Sequence, residues 1–348
     1  MPQKMKIETI DPTTHSGWDE LVLAHPNCSF FHSSAWARVL REAYGYKPLY
    51  FTVFDGDAIS ACLPVMEVSS FITGKRGVSL PFSDRCEPLV QDPVQFDALL
   101  AHAKEYGKKA GWKHLELRGG TAFLSGAEPS STYLGHTLDL TIGEIGLFAA
   151  LRDSTRRNTK KAEKEGIEVT VSDAMDAVTA FYDLNQVTRR HHGLPPQPFN
   201  FFRAIHEHVL LRGLGFVVLA SYRSTPIAAS VFLQSGRKAL YKYGASALEH
   251  RELRANNLVM WKAIERLSKR GFESLCFGRT DIGHDGLKQF KTGWGAQENH
   301  INYYRHDLRQ NKFVTQQQPA NGFSKMIFGK LPVPVLNAIG SLAYRHMG

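Results

Sequence analysis

The sequence has few cysteines, no long apolar run and no low-complexity tract. Its four cysteines, Cys28, Cys62, Cys86 and Cys276, lie far apart and include no Cys-x-x-Cys pair, which speaks against a zinc ribbon and a disulfide framework. They read as reduced, structural residues. No stretch approaches the roughly 18 to 20 apolar residues of a membrane span, and the opening Met-Pro-Gln-Lys-Met-Lys-Ile-Glu has no apolar signal core. These absences point to a cytoplasmic protein. The 15 histidines are scattered, and His191-His192 and His206/His208 lack both a His-Glu-x-x-His arrangement and paired cysteines, so no metal is expected. No Gly-x-Ser-x-Gly elbow is present for a serine nucleophile.

What is present suits a packed globular protein. A chain of 348 residues exceeds the usual ceiling for one core, so two domains are expected, and 43% hydrophobic and 11% aromatic residues supply their interiors. The formal net charge of +9 favours anionic partners: nucleic acid, a phosphorylated substrate or an acidic membrane face.

Helices and strands alternate. A helix is expected from Phe30 to Tyr44, capped by Ser33 or Ser34, then strands Leu49–Phe54 and Ala58–Met66 around the hairpin signal Asp55-Gly56. A broken strand over Val78–Val90, a helix Phe96–Ala110 and a strand Trp112–Arg118 complete the first half. A linker is placed near Gly119–Thr141. The second half reads as a cationic helix Ile145–Lys164, a strand Ile167–Val171, helices Met175–Arg190 and Phe199–Leu211, strands Gly215–Tyr222, Ile227–Ser235 and Lys238–Ala245, a helix from Asn256 or Asn257 to Gly271 and a strand from Leu275. Hairpin, helix, strand thus occurs twice.

The chemistry concentrates in Leu275-Cys-Phe-Gly-Arg-Thr-Asp281 and the following glycine-rich stretch Gly286–Gly295, read as a loop. Arg279 ends an apolar strand, where it either clamps an anion or pairs with Asp281. Lys288, Phe290, Lys291 and Trp294 follow, and Lys291 is the candidate for stabilising an oxyanion unless it is a solvated surface lysine. Tyr241 and Tyr243, two apart, fall on one face of their strand. Arg156, Lys160 and Lys164 share one face of the cationic helix, as a phosphate-tracking surface or a solvated stripe. Asp84 could take up an amine proton or belong to a solvated turn, and Trp36 after Ser33-Ser34 reads most simply as a packing residue. The tail Phe323–Arg345 is apolar with Lys325, Lys330 and Arg345 interspersed, and either packs on the first domain or lies on the inner membrane surface.

The C-terminal block, with Phe290-Lys291, together with Phe30-Phe-His-Ser-Ser-Ala-Trp36, resembles the FemAB-like branch of the GNAT acetyltransferase superfamily over about residues 28 to 308. The resemblance implies an α/β (α+β) fold of two tandem GNAT-type domains, each a mixed twisted sheet flanked by helices: residues 1–140, 141–308 and a tail 309–348. It implies an acyltransferase with no tightly bound cofactor, moving an aminoacyl or acyl group from aminoacyl-tRNA or acyl-CoA to an amine of a cell-envelope precursor. It places Lys291 beside donor and acceptor, gives Trp36 a substrate-binding role and sets Tyr241 and Tyr243 at the centre of the second domain. The sequence also departs from the family. An arginine and a tyrosine that hold peptidoglycan precursors in relatives fall on Gln197 and Phe201, in a loop shaped by His192, Pro195 and Pro196, so a different acceptor is expected. The phosphate-loop pattern of coenzyme A users is absent from His250-Arg-Glu-Leu-Arg-Ala-Asn256. An acyl-CoA enzyme of exopolysaccharide or surface-protein assembly, and a non-catalytic module binding anionic glycolipid or RNA, are the alternatives.

Overall fold

Strand β1 (Glu8–Ile10) runs antiparallel to β2 (Lys47–Asp55), and β2 turns into β3 (Ala58–Ser70) at Asp55-Gly56, with Gly56 at φ 58°. These coordinates are a computed structural model describing residues 5–315, 328 and 330–348. Helix α1 (Trp18–Leu23), a 3₁₀ turn Phe30–His32 and α2 (Ser34–Tyr44) precede the hairpin, and the Ser33 hydroxyl caps α2 by accepting from the Trp36 amide at 3.2 Å. Strand β4 (Gly74–Val78) then pairs antiparallel with β3. The chain crosses over through α3 (Pro93–Ala110), which has Asp92 as its cap and Gly111 as its left-handed stop, into β5 (His114–Arg118), parallel to β4.

The described residues fall into two units, one gathering Met1–Tyr133, His300–Gln318 and Ala343–Gly348, the other Leu134–Asn299 and Pro319–Leu342. The first boundary therefore lies seven residues before the expected 140, and residues 300–308, expected with the second domain, belong to the first unit, because Tyr303–Asp307 of the strand Gln297–Asp307 pair antiparallel with β5. The first unit's core lines β2, β3, α3 and β5 with Phe51, Leu63, Val65, Phe96, Leu99, Trp112 and Leu115.

In the second unit the chain runs through β6 (Ser131–Asp139), α4 (Gly143–Ala149), α5 (Asp153–Lys164), β7 (Glu168–Ser172), α6 (Met175–His191), α7 (Phe199–Ile205), β8 (Gly215–Tyr222), β9 (Thr225–Ser235), β10 (Lys238–Ser246), α8 (Ala255–Lys269), β11 (Ser274–Asp281), α9 (Asp285–Thr292) and α10 (Val333–Met347). The strand order is β6-β11-β10-β9-β8-β7. Strands β10 and β11 are parallel and joined by α8, as β4 and β5 are joined by α3, which is the duplication the sequence suggests. The apolar face of α8, with Val259, Met260, Ala263, Ile264 and Leu267, closes a core with Phe216, Val218, Phe232, Leu275, Phe277 and Trp294.

Four expectations change. The segment read as linker contains β6. The single helix Ile145–Lys164 is two, interrupted at Ala150–Arg152. The glycine-rich stretch after β11 is largely helix α9, with the His284 ring accepting from the Leu287 amide at its start. Helix α8 begins after Arg254 at φ 60°, not at an asparagine cap. Of the tail Phe323–Arg345, residues 333–345 lie in α10, and 323–327, Lys325 included, and 329 lie outside the described residues. At its end, the Tyr46 hydroxyl donates to the Tyr344 carbonyl at 3.0 Å within the first unit.

Candidate active site

The site grows from the place where two parallel strands part. The β10–β11 register runs Lys238↔Ser274, Ala239↔Leu275, Leu240↔Cys276 and stops, although β10 continues to Ser246 and β11 to Asp281. On the other side of β10, Tyr241 pairs with Phe232 but Tyr243 with Val231, so Lys242 is an extra residue, a β-bulge. The expectation that Tyr241 and Tyr243 share a face is thereby overturned. Tyr241 packs at 5.6 Å from Phe232 and 6.2 Å from Phe277, its hydroxyl pushed up to about 12 by burial against a bond to Ser230. Tyr243 lies on the opposite face, 5.5 Å from Phe202 and 6.2 Å from Phe201.

Across the gap, β11 ends in Gly278-Arg279, with Gly278 at φ 66°, where an L side chain would be strained. Helix α9 brings Lys291 over this end. Lys291 is 2% exposed, and its ammonium donates to the carbonyls of Gly278 at 3.2 Å and Arg279 at 2.9 Å. It is not a solvated surface lysine. These two carbonyls fix where the ammonium points. Phe290 meets Trp294 edge to face at 5.9 Å and Trp294 is wholly buried, so both belong to the packing that holds Lys291. Arg279 itself is exposed.

The sequence reading missed His136, on β6. It is wholly buried, and burial first, then the Lys291 ammonium, push it below its ordinary value, so it is neutral at physiological pH. Glu298 lies 3.4 Å from its Nε2 and is held below the usual carboxylate range chiefly by Lys288, which it binds at 3.0 Å. His136 Nδ1, Thr280 Oγ1 and Trp294 Nε1 are buried without a hydrogen-bonding partner among the described residues. Buried polar groups are almost always satisfied. A concentration of exceptions around one lysine marks a place built for more than packing.

Several expected site residues lie elsewhere. Arg156 donates from Nη2 to the carbonyls of Ala149 at 2.9 Å and Leu151 at 3.1 Å, so it ties off the end of α4 and is not part of an open cationic stripe. Lys160 sits over the Phe148 ring at 5.7 Å, and Lys164 is exposed. Phe201 is wholly buried among Phe202 and Tyr243, and Gln197 is buried too, so neither presents an open surface, whereas His192 is exposed at the end of α6. In the first unit Trp36 is wholly buried against Phe30 and Phe31 and is a core residue. Asp84 is half-buried, its loop fixed by the Tyr303 hydroxyl donating to the Asp84 carbonyl at 2.8 Å.

Residues 149–292, which span α5 to α9, match the family model of the acetyltransferase (GNAT) domain. Among solved structures the chain is similar to FemX, at 15% identity over 88% of this chain and 98% of that one with a TM-score of 0.72. It is also similar to a tandem GNAT protein of the clavulanic acid biosynthesis pathway, at 14% identity over 87% and 98% with a TM-score of 0.57, and to L-PGS from Bacillus licheniformis, at 8% identity over 91% and 96% with a TM-score of 0.53. These likenesses show the fold, a tandem GNAT-type arrangement. No curated protein matches the chain. No helix among the described residues is long and apolar enough to cross a membrane.

Proposed function

We propose that this chain is a GNAT-type acyltransferase that moves an acyl or aminoacyl group onto an amine of a cell-envelope peptide or sugar precursor by direct attack, with Lys291 stabilising the tetrahedral oxyanion. The observation that carries the reading is the buried Lys291 ammonium, fixed by two carbonyls at the end of β11 where β10 and β11 part. In the step itself, a neutral amine attacks the acyl carbon and the new C–N bond forms. The bond to the leaving sulfur or oxygen then breaks, the leaving group departing as the anion or taking up a proton. The amine's proton must pass to a base, and Asp84 is the proposed acceptor.

Two observations favour an acyl-thioester donor over aminoacyl-tRNA. The parting of β10 and β11 suits an extended donor arm whose amides can pair with strand edges, the geometry by which a sheet accepts an added strand. The cationic helix, for its part, has lost Arg156 to a structural role. Lys160 and Lys164, with Arg157 and Lys161, remain for the phosphates of a donor, and Arg279, Lys288, Tyr241, Tyr243, Phe290, Trp294, Trp36, His192, Gln197 and Phe201 are proposed to bind or support the substrates. The buried Gln197 and Phe201 favour an acceptor less charged than a nucleotide-linked muropeptide, because a neutral amide and a phenyl ring forgo a charge-assisted contact of roughly 1.5–3 kcal/mol.

The test is a thermal-shift and turnover panel. Stabilisation by acetyl-CoA and transfer of its acetyl group to an amino-sugar or peptide amine, abolished in Lys291→Met, supports the reading. Turnover with aminoacyl-tRNA alone would reverse the choice of donor, and no turnover with either on any amine would remove it.

A further inference from the structure

The turn between β3 and β4 carries two apolar side chains that the fold does not use. Phe71 is 88% exposed and Ile72 65% exposed. The turn is made by Ser70, whose hydroxyl accepts from the amides of Ile72 at 3.1 Å and Thr73 at 2.9 Å, so its geometry asks nothing of residues 71 and 72. Polar residues ordinarily occupy such tips, and an aromatic and a β-branched side chain there are left facing water.

The tip is also rigid and rimmed with positive charge. The Phe71 ring meets the His346 ring edge-on at 4.6 Å, and the next residue, Met347, is 57% exposed. The buried Arg76 guanidinium fastens this junction by donating to the His346 carbonyl at 2.8 Å and to Thr73 Oγ1 at 2.7 Å, and Lys113 Nζ donates to the Thr73 carbonyl at 2.8 Å. Lys75, Lys113 and Arg345 are exposed and have no acidic partner among the described residues. Apolar side chains in front with unneutralised cations behind them match the depth profile of a bilayer surface, acyl boundary first and phosphates next.

We infer that the β3–β4 tip, with Phe71, Ile72 and Met347 inserting and Lys75, Lys113 and Arg345 at phosphate level, docks the protein on an anionic lipid surface. A second copy of the chain is the lesser fit, because the same cations would face one another. The inference is independent of the acyl-transfer reading, since its readout is binding and not turnover.

The experiment is co-sedimentation of the full chain with vesicles of phosphatidylcholine, alone and mixed with phosphatidylglycerol. The wild type is expected to bind only the mixed vesicles and to be released by salt. The Phe71→Ser/Ile72→Ser variant should bind roughly tenfold more weakly, and Lys75→Glu should lower binding about fivefold or more. Because both apolar side chains are exposed, the double variant should keep the wild-type melting temperature. No binding of the wild type to phosphatidylglycerol vesicles, or equal binding by the double variant, would overturn the inference. So would a wild-type dimer in solution that the double variant dissolves, which would assign the patch to a second copy.

Discussion

Replacing Lys291 by methionine keeps an unbranched stem of four heavy atoms and removes the ammonium. In sites where a positioned donor stabilises an oxyanion, losing one donor costs about 2.7–4 kcal/mol, or roughly 10²–10³ in rate. Because that interaction is made in the transition state, kcat and kcat/KM should fall together and KM should stay within a few-fold. The fold should survive. The carbonyls of Gly278 and Arg279 lose a donor, each worth about 1–3 kcal/mol if left dry, while the desolvation cost of a buried ammonium, several kcal/mol, disappears with it, so the two roughly offset. The assay is steady-state acetyl transfer to an amine acceptor, with thermal unfolding run on the same preparation. Lys288→Met serves as the control, since Lys288 is partly exposed and paired with Glu298, and its effect should stay below about tenfold. A folded Lys291→Met enzyme within threefold of wild-type kcat/KM would refute the assignment.

Arg156→Ala removes two bonds to the end of α4 and should cost about 1.5–3 kcal/mol by denaturant unfolding, whereas Lys164→Ala should be neutral; equal effects would return Arg156 to the surface stripe. In the first unit, burial works against ionised Glu116, but Arg118 at 2.9 Å and Arg305 at 3.2 Å hold its carboxyl down to about 2. Glu116→Gln strands two guanidinium groups and should cost about 3–5 kcal/mol; a loss under 1 kcal/mol would show the network to be solvated. Burial and then Arg305 lower His114 to about 4, and burial and then Lys104 and Lys108 lower His306 to about 4. Both bind protons more readily when unfolded, so stability should fall as pH drops from about 6.5 towards 4, and His114→Gln/His306→Gln should flatten that slope in melts at stepped pH. An unchanged slope in the double variant would place the acid sensitivity elsewhere.

Local signals made most of the elements legible. Asp55-Gly56, the Gly111 and Gly271 stops and the apolar face of α8 each act within a few residues, and the structure has the hairpin, α3 and α8 where those signals put them, although α3 starts at Pro93 and not Phe96 and β3 runs on from Met66 to Ser70. Lys291 was legible because its aromatic and glycine neighbours are contiguous. His136 was not: β6 reads as part of a glycine- and serine-rich connection, and the importance of its histidine depends on Lys291, which lies 155 residues further along the chain. Arg156 was misread for the complementary reason, since i, i+4 spacing reports a shared helix face but not whether one member turns back to cap a neighbouring helix. Trp36 and Phe201 show a limit of family resemblance, as an aromatic aligned with a substrate contact can serve equally as core.

The extra residue at Lys242 has a bearing on how sequences of this kind are aligned. Up to Tyr241 the alternation of β10 assigns even and odd positions to fixed faces, and beyond it the parity is reversed. A relative of equal length whose strand ran through this point without a bulge would carry the same tyrosines with one of them turned to the other side of the sheet, while every aligned column still looked identical. Deleting Lys242 would therefore remove the bulge and leave the residues after it opposite the partners they have now, Tyr243 opposite Val231 and Gly244 opposite Ser230. Comparisons that score residue identity alone are blind to this, and counting Tyr241–Ser246 against the one fewer residue of Ala228–Phe232 on β9 is what detects it.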